Sequence, residues 1–265
     1  MGRADAGDTA PTARAAPVRA RPWVFVAWCV WLLAWLTPAL LVGPETADPR
    51  PWLDREAAPA AVLAGAALFL VAAWPFWPAL ALPKSSRDPT GQAGRAAQGD
   101  PRGPGGLRSS ARGGSVARLA GLSAAEVLVL AALAAPLLVA AWSLGGSLHV
   151  WPAAATAAGL AVLGIGLRLA ATGLGGGAAC RLMFGALLLC GGPPAVYYAA
   201  AETVGPAPAW LLEASPVVGL VRAGTVGWPE EAWPQIARLW LWPLLGVGLG
   251  VVGAIHGRRA GASQA

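Results

Sequence analysis

Residues 123–142 read SAAEVLVLAALAAPLLVAAW, with Glu126 as the one charged side chain. A soluble helix of this length would carry a polar face at a period of 3.6 residues, and this run has none. About 20 apolar residues in an α-helix match the roughly 30 Å of a hydrocarbon core, so the run reads as a membrane span. Five more stretches repeat the pattern: Trp23–Gly43, Ala60–Leu82, Pro152–Thr172, Ala178–Ala200 and Gln235–Ile255. The expected fold is therefore all-α, a polytopic integral membrane bundle of six transmembrane helices. The first stretch exceeds the apolar core of a signal peptide, about 7–15 residues, and its four tryptophans are bulky for one, so it reads as a retained anchor.

Composition agrees. The chain is 56% hydrophobic and 12% charged, against about 25% charged in soluble domains. The charges are also sorted along the chain. The loop after the first span holds Glu45, Asp48, Asp54 and Glu56 against Arg50 and Arg55; the next holds Lys84 and six arginines against Asp88 and Asp100. The last long loop is acidic again, with Glu202, Glu213, Glu230 and Glu231 against Arg222 and Arg238. An inside amino terminus puts 15 of the 19 basic residues on the cytoplasmic side, as the positive-inside rule requires. Both termini are then cytoplasmic, and the chain is expected in the cell inner (plasma) membrane. The net charge of +6 is accounted for by orientation and by attraction to anionic membrane lipid. No groove-reading motif accompanies it, so no nucleic acid partner is expected.

The spans and loops divide the chain. Residues 1–22 form a cytoplasmic tail and 23–82 a transmembrane hairpin. Residues 83–114, rich in Gly, Pro, Ser, Arg and Gln, have too little apolar surface to offset ordering entropy and read as a disordered cytoplasmic linker. Residues 115–257 form a four-helix membrane region that begins with a cytoplasmic helix, and 258–265 a cytoplasmic tail. Within that region, 205–234 is an outside segment whose stretch Pro208–Ala223 suits a short amphipathic helix on or in the outer leaflet.

Trp23, Trp74, Trp77, Trp142, Trp151, Trp240 and Trp242 fall towards span ends, the place of an interfacial aromatic belt. Small residues in Gly159–Gly166 and Gly246–Gly250 allow close helix approach. Among several prolines in spans, the run Gly191, Gly192, Pro193, Pro194 is the strongest helix-weakening site and predicts a broken or sharply bent fifth helix, a candidate hinge.

Chemistry-bearing motifs are scarce. The chain has no Walker A loop, no HExxH, no paired-cysteine zinc signature and no EF-hand. His149 and His256 fall on opposite sides of the membrane, so no metal site is expected, and no cofactor either. A triad of Cys180 with Arg222 or His256 fails on depth. Cys29, Cys180 and Cys190 have no framework spacing and read as packing residues. No catalytic residue, and hence no enzymatic activity, is expected. Glu126 and Arg168 lie near the inner ends of their spans, from where both can snorkel to the interface. With no charge at the centre of a span, coupling to an ion gradient is disfavoured.

From about residue 115 onwards the chain resembles the permease subunits of the ABC transporter type-2 family. Leu122, Ser123 and Glu126 in ARLAGLSAAEVLVLAAL (Ala117–Leu133) match that family's P-L-S-x-x-E turn, where a short cytoplasmic helix ends before the third span; Gly121 stands in place of the proline. The Gly-rich fourth span, the GGPPAVYYAA end of the fifth, and PAWLLEASPVVGLVRAG (Pro208–Gly224) extend the likeness. Lys84–Gly114 departs from it, lacking the family's acidic stretch after the second span.

The resemblance implies an exporter permease that moves a lipidic or amphipathic substrate by alternating access. A separate ATP-binding subunit would supply the energy, docked on Leu119, Leu122, Ser123 and Glu126, and a second permease copy or paralogue would complete the pathway. Ser123 as N-cap and Glu126 three residues on would make a capping box at the start of the third helix. The alternative reading is a non-transporting membrane scaffold or assembly factor.

Overall fold

A computed structural model describes residues 22–41, 57–78, 108–144, 147–174, 176–206, 208, 210–228 and 233–262. Every regular element among them is helical. They are α1 (Pro22–Leu41), α2 (Ala58–Leu68) continued by a π-helical turn (Phe69–Ala73), α3 (Arg108–Ser143), α4 (Val150–Leu174), α5 (Gly176–Thr203), the short α6 (Trp210–Glu213), α7 (Pro216–Thr225) and α8 (Trp233–Ala262). Four stretches are long and apolar enough to cross a membrane: Val116–Ser143, Val150–Leu174, Gly177–Thr203 and Trp240–Gly257. They are the mark of a multi-pass membrane protein. The helices of the hairpin, Pro22–Thr37 and Ala58–Ala73, are apolar but shorter among the described residues. The amino-terminal tail to residue 21, the acidic loop 42–56 and linker residues 83–107 lie outside them.

α2 lies at the middle of the bundle. One side packs with Trp28, Leu32 and Leu36 of α1 and Leu130 of α3, through Val62, Phe69, Leu70 and Trp74. The other side, through Leu63, Val71 and Phe76, joins Leu160, Leu163 and Leu167 of α4, Leu220 of α7 and Trp242 of α8. Gly65 lets α1 come close: a Cβ there would collide with the Trp35 ring, and Trp31 Nε1 donates to the Gly65 carbonyl at 2.9 Å.

The most extensive helix pair is α4 with α8. Gly166 faces the Gly246 backbone and, seven residues on, Gly173 faces that of Gly253; a Cβ at any of the four would enter the partner's main chain. Glycine thus gives backbone-to-backbone contact, the means by which helices associate where lipid provides no hydrophobic drive.

Three local expectations are corrected. The third helix does not begin at Ser123: α3 runs unbroken from Arg108 to Ser143, taking in linker residues 108–114, and Ser123 and Glu126 lie inside it. Gly121 has open space around it and its helical penalty is only about 1 kcal/mol, too little to stop the helix between its two apolar runs. The capping box is therefore absent. The fifth helix is not broken, since α5 is helical throughout Gly191–Pro194. Pro208–Ala223 is not a single surface helix. It is split at Ala214–Ser215 into α6 and α7, and α7 buries Pro216, Leu220, Ala223 and Gly224, its i, i+4, i+7, i+8 stripe, in the bundle.

Candidate functional site

Glu126 and Arg168 sit 42 positions apart on α3 and α4, and the two helices bring them face to face. Arg168 Nη1 donates to Glu126 Oε2, and Nη2 reaches Oε1 at 3.5 Å. Trp74, just past the π turn of α2, donates from Nε1 to the same Oε2 at 3.2 Å. The Arg168 guanidinium carbon lies 5.0 Å from the Trp74 ring centroid, a cation–π distance. The side chains of the pair are 11% and 23% exposed. Both charges therefore turn to each other rather than snorkel separately. An ionisable pair within spans needs such a partner, because each charge alone is expensive in the hydrocarbon region. The environment is not fully satisfied: Arg168 Nε and Ser123 Oγ are buried without a hydrogen-bond partner.

Beside this polar cluster the helices part. A cavity of about 360 Å³ lies between α1, α2, α3, α4 and α7. Trp28, Leu63, Leu70, Leu130, Ala157 and Leu220 line its depth. Leu128 of α3 and Val150 of α4, at the cavity edge, are 71% and 65% exposed, so the cavity opens sideways between these two helices. Trp28 Nε1 donates to the Leu130 carbonyl at 2.9 Å and ties α1 to α3 across one wall. Among the described residues, no ionisable side chain lines the cavity. Its chemistry is that of a hydrocarbon slot, with the ion pair beyond Val127, Leu70 and Ala161 at one end.

At the other end Leu148, just before α4, lines the cavity, and its neighbours bond to α7. The His149 amide donates to the Gly224 carbonyl at 2.6 Å, and Ser147 Oγ to that of Thr225. Gly227, at φ +79°, lets the chain pass against the His149 ring. These bonds hold α7 against the cavity.

The residues singled out from the sequence divide in two. Leu119 is half-buried and Leu122 is 36% exposed, whereas Ser123 is 1% exposed and Glu126 is engaged with Arg168 and Trp74. The four do not form one outward face. Gly191, Gly192, Pro193 and Pro194 lie on α5 away from the cavity, and a Cβ at either glycine would meet nothing. Of the tryptophans assigned to an interfacial belt, Trp23, Trp142, Trp151 and Trp240 are exposed, but Trp74 and Trp242 are buried and belong to the core. The three thiols are free, and among the described residues no three His, Cys, Asp or Glu come together as metal ligands. Sequence reading missed the Glu126–Arg168 pair; its signal was a single charge, of opposite sign, in each of the adjacent spans 123–142 and 152–172. Comparison with family models, with curated proteins and with solved structures returns no match to this chain.

Proposed function

We propose that this chain is the membrane-spanning permease subunit of an ATP-driven exporter of a lipidic or amphipathic substrate. The observation that carries the substrate class is the cavity: about 360 Å³, apolar, and open sideways. That volume is at the small end of ligand pockets, about 300–1,000 Å³, with room for one hydrocarbon chain. A slot with such walls selects by chain shape and cannot orient a polar solute.

In this reading six helices cross the inner membrane with both termini cytoplasmic. The ATP-binding partner docks where α3 leaves the membrane, at Leu119 and Leu122, and its closure tilts α3 against the Glu126–Arg168–Trp74 joint. That motion opens or narrows the slot between α3 and α4, and a second permease copy completes the pathway. No side chain of this chain makes or breaks a covalent bond.

Two measurements test the reading. Lipid extracted from the purified protein should contain a stoichiometric bound species, lost in Ala157→Phe, whose ring occupies the slot. An equal yield from that variant removes the cavity as the site. Purification with a candidate ATPase should recover a complex that Leu119→Asp/Leu122→Asp abolishes while insertion persists. Unchanged co-purification removes the docking role, and a folded, lipid-loaded protein that captures no ATPase under any condition supports the scaffold reading instead.

A further inference from the structure

Pro194 has no N–H, so the Cys190 carbonyl four residues earlier in α5 loses its intrahelical donor. That carbonyl is not left bare. Ser215 Oγ donates to it at 2.6 Å, with Ser215 fully buried and Cys190 2% exposed. Ser215 is itself the N-cap of α7, at φ −87° and ψ 129°, yet its side chain makes no cap bond to its own helix. An N-cap serine ordinarily accepts from the free amides of the first turn. Here the hydroxyl makes no such bond and is turned outward to another helix.

We infer that Ser215 is a latch on the α5 hinge: it supplies the hydrogen bond that Pro194 takes away and so holds Gly191–Pro194 in its helical path. Two features fit a device of this kind. Space is open around Gly191 and Gly192, where a Cβ would meet nothing, so α5 has room to bend there once released. The latch is carried by α7, whose Leu220, five residues on, lines the cavity; movement of α7 at the cavity is thereby movement of Ser215 at the hinge. The latch is a property of the fold, and only its use in transport rests on the permease reading.

The test is a double-mutant cycle read at Cys190, which is shielded and adjacent to the bond. In full-length protein with Cys29→Ala and Cys180→Ala, N-ethylmaleimide labels the Cys190 thiol only as α5 and α7 separate. Ser215→Ala should raise that rate about tenfold, the factor corresponding to one buried carbonyl left unsatisfied. Pro194→Ala restores an amide donor to the Cys190 carbonyl. In that background Ser215→Ala should change the rate less than twofold. Equal acceleration in both backgrounds, or none in either, overturns the latch, because Ser215 would then act through packing or not at all. Should Ser215→Ala fail to fold, the Pro194→Ala/Ser215→Ala protein must fold; failure of both also overturns it. None of these readouts needs an ATPase or a substrate, so a failed exporter reading leaves the result intact.

Discussion

Compare the seam between α4 and α8 with the joint that α3 makes with α1, α2 and α4. The first is closed by absence of side chains: Gly166 against Gly246 and Gly173 against Gly253 bring main chains together. The second is held by a few long polar side chains reaching across, Trp28 to the Leu130 carbonyl and Trp74 and Arg168 to Glu126, and it leaves a cavity of about 360 Å³ between the helices. Close-packed glycine backbones have one arrangement and no slack. A joint made of side-chain tips has rotamers, and so more than one separation at modest energetic difference. The tight seam and the cavity-bearing joint of the bundle thus come from different residue chemistry in similarly apolar helices.

The sharpest way to break the contrast is at the seam. Gly246→Leu drives a side chain into the Val162–Leu163 backbone, whereas Gly248, two residues away, has open space. We expect Gly246→Leu to cost about 3 kcal/mol or more and Gly248→Leu under about 0.5 kcal/mol, measured by SDS unfolding in mixed micelles. Equal loss in both would show that the seam is not what holds α4 to α8.

At the α3 joint, Glu126→Ala leaves Arg168 buried and unpaired, at an expected loss of about 3 kcal/mol. The double variant Glu126→Ala/Arg168→Ala should lose less than Glu126→Ala alone, since no charge is stranded. Additive losses from the two single variants would mean the pair is not coupled in solution. The smallest expected effect at this joint is Trp28→Phe, which removes the bond to the Leu130 carbonyl and, through the smaller ring, part of the buried contact, for about 1–2 kcal/mol. A loss three times larger would make that indole a principal tie of α3 rather than one of several.

How much of this was legible in the chain depends on the range of the cause. Hydropathy is local and summed over many residues, so the spans beginning near Ser123, Pro152 and Ala178 match helices α3, α4 and α5 within a few residues, save that α3 starts earlier. The start of α3 is easily misread because Leu122, Ser123 and Glu126 carry a cap-like spacing; a cap forms only where the chain actually turns, and the apolar run from Val116 keeps it helical. The Glu126–Arg168 pair is hard to see for another reason. Its partners are on different helices, and each charge seen alone lies near enough to a span end to be assigned to the interface. Ser215 likewise reads only as part of a turn, because the carbonyl it serves is 25 residues earlier. The cavity has no sequence signature at all, being the shape left between helices whose residues are ordinary Leu, Ala and Val.

The π-helical turn Phe69–Ala73 sets the angular phase of the residues beyond it. Its closing bond runs from the Trp74 amide to the Phe69 carbonyl, five residues back, at 2.8 Å. Such a turn holds one residue more than an α turn, and each residue of an α-helix advances about 100° around its axis. Wound as plain α-helix with no residue lost, 69–73 would still leave α2 with all its backbone bonds. The side chains of residues 74–78 would then point about 100° elsewhere. The helix would be smoother, and the indole of Trp74 would no longer lie over the Arg168 guanidinium.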